Sequence, residues 1–300
     1  MATMRTQRVS RLAGKSASFV VLAALAALFI LPLLWMMATS MLPIDQALSS
    51  ELRFLPKPEE GGGLVESVEL AAAQAAENYP TVWNDPIVTF PLYLRNTLIV
   101  AGLSVIGMVL SSAIAAYGFA RVRWRYRERF FWLVLATMMI PFPVLMVPLF
   151  MIFSELGWVG TLRPLWVPAW FANGFNVFML RQFFRAIPQD LDEAARIDGC
   201  GHIGIFRHII VPLSLAPLGL VAVFHFMFVW NDFLGPLVFL TDQSKFTLAL
   251  GLQLYQSQSG STPWNLLMAA STMMVLPVLL VFILLQDSFL RGGSTEGLKE

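Results

Sequence analysis

The sequence has little charge, one cysteine and few histidines, and each shortage excludes a class of protein. Only 13% of the 300 residues are charged, whereas a soluble domain usually carries about 25%. With 57% hydrophobic residues and a mean hydropathy of +0.68, the composition predicts an integral membrane protein. The single cysteine, Cys200, excludes an intrachain disulfide and a cysteine-based metal cluster. With only three histidines and a net charge of +1, we expect no metal site, no cofactor and no nucleic-acid partner.

Six segments without Asp, Glu, Lys or Arg predict an all-α, polytopic membrane protein with six transmembrane helices. The segments are residues 17–39, 96–120, 130–154, 164–180, 208–231 and 266–286. A basic N-terminus precedes the first of them, as in a signal peptide. The apolar part of a signal peptide is only about 7–15 residues long, however, so the longer run here predicts a retained span.

Two of the predicted spans carry patterns of small residues or prolines. Ser112, Ala116 and Ala120 recur every four residues in the second span, which places small side chains on one helix face and permits close helix packing. The third span contains Pro141, Pro143 and Pro148, and such prolines kink a helix and free backbone carbonyls. The kink has two interpretations, a flexible segment that lines a cavity or a rigid packed bend, and the sequence does not separate them.

The distribution of basic residues predicts the orientation of the chain. Six spans place both termini on one side, together with the loops after the second and fourth spans. Those four segments hold fifteen Lys and Arg residues, and the opposite side holds five. By the positive-inside rule, both termini (1–16 and 287–300) and the loop 187–212 are cytoplasmic. The arginine run at 121–129 is then a cytoplasmic loop rather than a nucleic-acid site.

An acidic segment, residues 40–95, is the one long polar stretch and is predicted to be extracytoplasmic. It contains eight Asp and Glu residues against three Lys and Arg. Residues 64–78 are rich in Ala and Glu, which predicts a helix. The segment is either a docking surface for an external partner or a solvated insertion.

The loop 187–212 is predicted to form a short helix, a glycine turn and a second helix. Pro188 suits a first helical turn. Asp190 and Glu193 have the spacing of a capping box, with Asp in place of Ser or Thr. Gly199 then stops the helix, and we expect it to have a positive φ, because glycine readily takes the left-handed C-cap conformation. Phe206 restarts an apolar helical face.

The order of residues in this loop resembles the EAA loop of ABC-importer permeases. That pattern is Glu-Ala-Ala, three residues, Gly, nine residues, Ile, one residue and Leu-Pro. The residues that carry the resemblance are Glu193, Ala194, Ala195, Asp198, Gly199, Ile209 and Pro212. Val211 replaces the usual Leu.

Three further stretches resemble the carbohydrate-uptake branch of this family, and most closely the second, smaller permease of maltose-type importers. They are residues 93–98, 229–233 and 291–299. The tail departs from the common form at 293–296, which makes its contact with an ATPase doubtful. The resemblance implies a type I ABC-importer permease fold, with a core of five transmembrane helices at 91–286.

The resemblance also implies partners and a mechanism. A solute-binding protein outside delivers a sugar to a heterodimer of this chain and a second permease in the lipid membrane. Two ATPase subunits inside close on ATP, and the EAA loop transmits that closure. In this interpretation Glu193 pairs with a basic residue of the ATPase, Ala194 and Ala195 allow close approach, and Phe206 belongs to the coupling surface. The chain itself is not an enzyme.

Two other classes and two local interpretations stay open. A secondary transporter usually has intramembrane acids, and here Asp232 lies only at the end of a span. An intramembrane enzyme lacks support, because His225 is better explained as a hydrogen-bonded packing residue. Trp230, Asn231 and Asp232 are candidates for the translocation path, although Trp230 and Asn231 fit an interfacial anchor equally well.

Overall fold

The computed structural model describes residues 2–49, 53–58, 62–257 and 262–293, and every regular element in these ranges is helical. The elements are α1 (Ala2–Thr39), α2 (Ile44–Ala47), α3 (Leu64–Trp83), α4 (Phe90–Ala120), α5 (Arg127–Thr137), α6 (Phe142–Glu155), α7 (Arg163–Trp166), a 3-10 helix (Val167–Phe171), α8 (Gly174–Ala186), α9 (Asp190–Ile197), α10 (His202–Ile205), a π-helix (Phe206–Ile210), α11 (Val211–Leu213), α12 (Leu215–Trp230), α13 (Leu234–Phe239), a 3-10 helix (Gln243–Lys245), α14 (Leu248–Gly251), α15 (Leu254–Ser257) and α16 (Trp264–Gly293). The predicted all-α class is confirmed.

Three helical segments are long and apolar enough to cross a membrane: Ser18–Thr39 in α1, the whole of α4, and Trp264–Leu284 in α16. Two further pairs of helices are long and apolar enough only when the two helices of a pair are counted together, and each pair is bent. α5 and α6 meet at 97°, and the segment His202–Leu213 meets α12 at 78°. The described residues therefore contain three spanning helices, or up to five if each bent pair is one span. The count of six stays a prediction.

The predicted fourth span, residues 164–180, is not one continuous helix. The 3-10 helix Val167–Phe171 ends this part of the chain, and the next residue, Ala172, has a φ of +61°. α8 then begins at Gly174, where the Asn173 side chain accepts a hydrogen bond from the Asn176 N–H at 2.9 Å. An Asn-Gly pair is a turn signal, and the apolar residues on both sides of it concealed the break.

The structure separates into two compact units, one of Met1–Val88 and Tyr255–Val275 and the other of Thr89–Leu254 and Leu276–Glu300. The first unit contains the acidic segment as far as Val88. The helix predicted at 64–78 is present as α3 and continues to Trp83. Asn78, which is buried, donates to the carbonyls of Ser40 and Leu42 at 2.9 and 3.3 Å and accepts from the Asn265 amide at 3.1 Å. The α3 part of the acidic segment is therefore helical and hydrogen-bonded within this unit.

The second unit is built around α4, which packs against α8, α12 and the 3-10 helix Val167–Phe171. The small residues predicted to form a packing face are inside, since Ser112 and Ala116 are fully buried and Ala120 is half-buried. Gly107 on the same helix lies against the indole of Trp170, whose Nε1 donates to the Leu103 carbonyl at 3.1 Å. Close approach to α4 thus depends on small side chains, as expected for helix contacts in lipid.

The start of α4 also fixes the segment that follows α13. The Asn96 amide donates to the carbonyls of Ser244 and Phe246, each at 3.0 Å. The Thr97 hydroxyl accepts from the Leu248 N–H at 2.8 Å. This segment contains short helices held to α4 by these bonds. The last predicted element, the tail 287–300, is helical as far as Gly293, and residues 294–300 lie outside the described part.

Candidate functional site

The loop between α8 and α12 contains a glycine turn that joins two short helices. α9 ends at Ile197, and Gly199 has a φ of +84°, as predicted. The Cys200 N–H donates to the Ala195 carbonyl at 2.8 Å, and the Gly199 N–H donates to the Arg196 carbonyl at 3.0 Å. These two bonds form a Schellman C-cap, which satisfies carbonyls that the helix end leaves open. A Cβ at Gly199 would meet nothing within 4 Å, so the backbone angle alone requires glycine.

Helix α9 has one face in the core and one face in solvent. Asp192 and Ala195 are only 6% and 8% exposed, and Ala195 belongs to the hydrophobic core of this unit. Glu193 and Ala194 are exposed. The family resemblance implied that both alanines allow close approach of an ATPase; in the structure Ala194 is exposed and Ala195 is buried. Ala195 instead lets α9 approach its own chain closely, because a larger side chain would not fit between α9 and the core.

A buried ion pair attaches α9 to the end of α4. Arg121 is the C-cap of α4, and its Nη1 lies 3.4 Å from Oδ2 of Asp192. The side chains are 2% and 8% exposed, so both charges are removed from solvent. Arg121 Nη2 also donates to the Ile187 carbonyl at 2.5 Å, just before α9. One side chain therefore holds both the entry to α9 and its first turn.

The second half of the loop rests on Tyr117. The Tyr117 ring lies 5.1 Å from the Phe206 ring, and its hydroxyl is 3.3 Å from Nδ1 of His202. Phe206 and Ile209 are half-buried, whereas Asp198 and Pro212 are exposed.

The hydrogen-bond ladder widens immediately before Pro212. The Val211 N–H donates to the carbonyl of Phe206, five residues back, which makes this turn a π-helix. Because Pro212 has no N–H to donate four residues back, the widened turn accommodates the proline. This irregular turn joins the two-helix loop to the strongly apolar α12.

The three residues predicted for the translocation path are placed differently from one another. Trp230 is 1% exposed, and its ring packs 5.2 Å from that of Phe226. Asn231 is exposed, and its amide donates to the Met227 carbonyl at 2.8 Å. Asp232 is half-buried and accepts from the Gly235 N–H at 3.1 Å; burial raises its pKa above the ordinary value, against the effect of that bond. Of these three residues, only Asn231 is exposed.

His225 is buried in α12, where its ring stacks on Phe228 at 6.0 Å. Its Nε2 has no hydrogen-bond partner in the part of the chain that the structure describes. The predicted packing role fits this position, but the hydrogen bond expected at Nε2 is not found. Over the same residues, no three His, Cys, Asp or Glu side chains are grouped so that they could hold a metal ion.

Sequence reasoning missed Arg121 and Asp192. Arg121 is the first of five arginines in one loop, and Asp192 is one of three acids in the first turn of α9. Local sequence gives the two residues no pattern in common. The one available signal is position, because Arg121 follows directly on an uncharged span and is therefore the arginine nearest to the apolar core.

The chain is similar in sequence to a known family and to several of its members. Residues 107–292 match the family described as binding-protein-dependent transport system inner membrane component. The chain is 36% identical over 225 residues to the trehalose/maltose transport system permease protein MalG of Thermococcus litoralis, which covers 74% of this chain and 81% of the relative. It is 32% identical over 228 residues to the sn-glycerol-3-phosphate transport system permease protein UgpE of Salmonella typhi, with the same coverage of 74% and 81%.

Solved structures share the fold. A chain of a bacterial ABC transporter involved in the import of the acidic polysaccharide alginate superposes with a TM-score of 0.77 at 20% identity, covering 94% of this chain and 98% of that one. A chain of the bacterial alginate ABC transporter in complex with an alginate pentasaccharide-bound periplasmic protein gives a TM-score of 0.58 at 16% identity, covering 73% and 84%. The ABC-importer resemblance seen in the sequence is therefore confirmed, and the chain belongs to the family of binding-protein-dependent transport system inner membrane components.

Proposed function

We propose that this chain is the permease subunit of an ATP-driven importer that takes up a sugar or an oligosaccharide. The relatives' names refer to trehalose, maltose and sn-glycerol-3-phosphate, and the structural neighbours belong to an alginate importer. All of these are hydroxyl-rich solutes. The chain is not itself an enzyme, and we propose that separate ATPase subunits supply the hydrolysis.

One observation carries this proposal: a short helix presents exposed Glu193 and Ala194 while its other face is locked to α4. A rigid helix with a small exposed side chain suits a groove in another protein. Because Arg121 fixes α9 to α4, a push on α9 would reach α4 and the elements packed on it. The coupling is thus a rigid-body movement between two states biased by ATP.

The partners follow from this role. We propose a heterodimer with a second permease, two ATPase subunits against α9, and an external solute-binding protein. Glu193 would pair with a basic residue of the ATPase, with Ala194, Asp198, Gly199 and Pro212 on the same exposed loop. Phe206 and Ile209, being half-buried, would support the loop from inside.

The sidedness proposed here places both termini, the 121–129 loop and α9 in the cytoplasm of a bacterial or archaeal cell. The bias of fifteen basic residues to five supports it. The acidic segment with α3 then faces outward, toward the binding protein.

For the pathway we propose Asn231 and Asp232 as solute contacts and Trp230 as the packed support beneath them, since its ring is buried.

The experiment asks which energy source drives uptake. Uptake of a labelled sugar into vesicles should require internal ATP and the binding protein, and it should continue when an uncoupler collapses the proton gradient. A secondary transporter, the alternative, would stop with the uncoupler while ATP is maintained. That result would refute the proposal.

A further inference from the structure

A cleft of about 670 Å³ opens beside α9, and arginines dominate its lining. One wall is the loop from Arg121 to Tyr126 with the first residues of α5, and the other is Arg185 at the end of α8 with the outer turns of α9. Seven arginines and three acids line it. Such a volume accommodates a small molecule or the headgroup of a lipid.

Two of the three acids are already paired, so the charged groups left facing the cleft are mostly arginines. Asp192 is paired with buried Arg121. Glu128 accepts from Arg181 Nη2 at 2.7 Å on both carboxylate oxygens and from Arg127 at 3.2 Å. Glu193 is then the one acid left for the remaining arginines. Those are Arg123, Arg125, Arg129, Arg185 and Arg196.

The remaining arginines are exposed and available. Arg123, Arg185 and Arg196 have no acidic partner among the described residues, and Arg125 and Arg129 lie over the Tyr126 ring at 5.4 and 5.7 Å. A guanidinium binds phosphate oxygens through a planar fork of N–H donors. Several such forks around one space favour an anionic group with several acceptor oxygens, such as a phosphate, over a neutral ligand.

The surroundings of the cleft favour a lipid as the source of that phosphate. Trp124 and Tyr126 line it, and these residue types concentrate at membrane surfaces. Immediately beyond, α5 exposes Phe130, Trp132 and Leu133, of which Trp132 is 69% exposed. An acyl chain could lie along these apolar side chains while the headgroup stays in the cleft. Basic pockets beside membrane helices bind anionic headgroups in this way.

We propose that this cleft binds the phosphate headgroup of an anionic phospholipid. Glu193 lines the cleft, so the site adjoins the exposed Glu193–Ala194 surface proposed to meet the ATPase. It does not depend on which solute is transported. Bound lipid would screen the like charges of the 121–129 loop and of Arg185 and Arg196. It would therefore hold the loop and α9 together.

The experiment measures lipid retained by the full chain, purified in mild detergent with its co-purifying subunits, by native mass spectrometry. Wild type should retain phosphatidylglycerol in preference to phosphatidylcholine. A triple variant, Arg123→Gln with Arg185→Gln and Arg196→Gln, should bind it on the order of a hundredfold more weakly, at roughly fivefold for each arginine removed. Arg207→Gln, an exposed arginine outside the cleft, is the matched control and should retain the lipid.

Four outcomes would overturn the proposal. Equal retention of the two lipids by wild type, or undiminished retention of phosphatidylglycerol by the triple variant, would exclude a headgroup site in the cleft. Displacement of the lipid by millimolar inorganic phosphate would identify free phosphate as the ligand. Loss of the ATPase from a triple variant that keeps its lipid would identify a protein-docking surface. Arg185→Gln alone, expected to weaken binding about fivefold, serves if the triple variant does not fold.

Discussion

The Arg121 guanidinium lies 3.4 Å from the Asp192 carboxylate, and both side chains are almost completely buried. Arg121 Nε and Nη1 and Asp192 Oδ1 have no hydrogen-bond partner within the described residues. The two side chains are therefore held by the attraction of their opposite charges and by the bond from Arg121 to the Ile187 carbonyl. Removing both charges from water is costly, and each is tolerated because the other is present. The pair therefore fixes the position of α9, and it does so with a desolvation cost that an apolar contact would not have.

The first prediction concerns this pair. Arg121→Met or Asp192→Leu alone leaves an uncompensated buried charge and should lower the free energy of unfolding by about 3–5 kcal/mol. The double variant removes both charges and should be closer to wild type than either single variant. Thermal unfolding of the purified proteins measures the cycle, with Arg207→Met as a control on an exposed arginine, expected to change stability by less than about 0.5 kcal/mol. Additive losses in the double variant would contradict a coupled pair.

The second prediction tests the packing around α4. A Cβ at Gly107 would lie 2.3 Å from Cδ1 of Trp170, which is closer than real contacts allow. Gly107→Ala should therefore displace the indole, break its bond to the Leu103 carbonyl, and cost about 1–3 kcal/mol through overpacking. Gly102→Ala, on the same helix with nothing within 4 Å of the new Cβ, is the matched control. Equal melting temperatures for the two variants would show that this contact is not tight.

Local patterns predicted much of this molecule, and each miss has a physical reason. Gly199 was predictable, because a positive φ at a helix end is a property of a few consecutive residues. The burial of Ala195 was not, because an eight-residue helix with two adjacent alanines does not reveal which one faces the core. The Arg121–Asp192 pair depends on the packing of α9 against α4, which no local pattern encodes.

The break in the predicted fourth span illustrates the same limit. Hydropathy measures only how apolar a segment is, and residues 164–180 are uncharged and mostly apolar, with or without a continuous helix. The turn at Ala172 and Asn173 is set by backbone geometry instead. The kink predicted from Pro141, Pro143 and Pro148 rested on the direct action of proline on the helix backbone. α5 and α6 do meet at 97° with Pro141 just before α6, whereas α6 continues through Pro148.

The third prediction concerns sidedness. A reporter that is active only in the cytoplasm should work when fused after Arg125 or Glu300, because those segments carry the excess of basic residues. The same reporter should be inactive near Gly62 in the acidic segment. A periplasmic reporter at the same three positions is the control and should give the reverse pattern. Cytoplasmic activity at Gly62 would overturn the proposed orientation.

The fourth prediction concerns the exposed charge of α9. Glu193→Lys keeps helix propensity and touches no buried group, so it should change the free energy of unfolding by less than about 0.5 kcal/mol. It reverses the charge offered to the ATPase, however, and should reduce both co-purification of the ATPase and sugar uptake. Glu193→Gln removes the charge without reversing it and should give an intermediate loss. If uptake stays near normal with the ATPase fully retained, Glu193 does not take part in coupling.

The fifth prediction separates folding from coupling at the glycine turn. Gly199 has a φ of +84° in open space, so Gly199→Val meets no clash beyond its own backbone. The left-handed conformation should still cost about 1–2 kcal/mol or more for a β-branched residue. The turn should tilt or unwind, and the two hydrogen bonds of the C-cap should weaken, so that α9 no longer presents Glu193 and Ala194 in register.

Gly201→Ala is the control, because Gly201 has a φ of −78° and equally open space. Immunoblots should find both variants in the membrane at wild-type levels, since the turn lies outside the apolar spans. Only Gly199→Val should lose uptake and the co-purified ATPase, and retention of both would mean that the turn geometry is not needed for coupling.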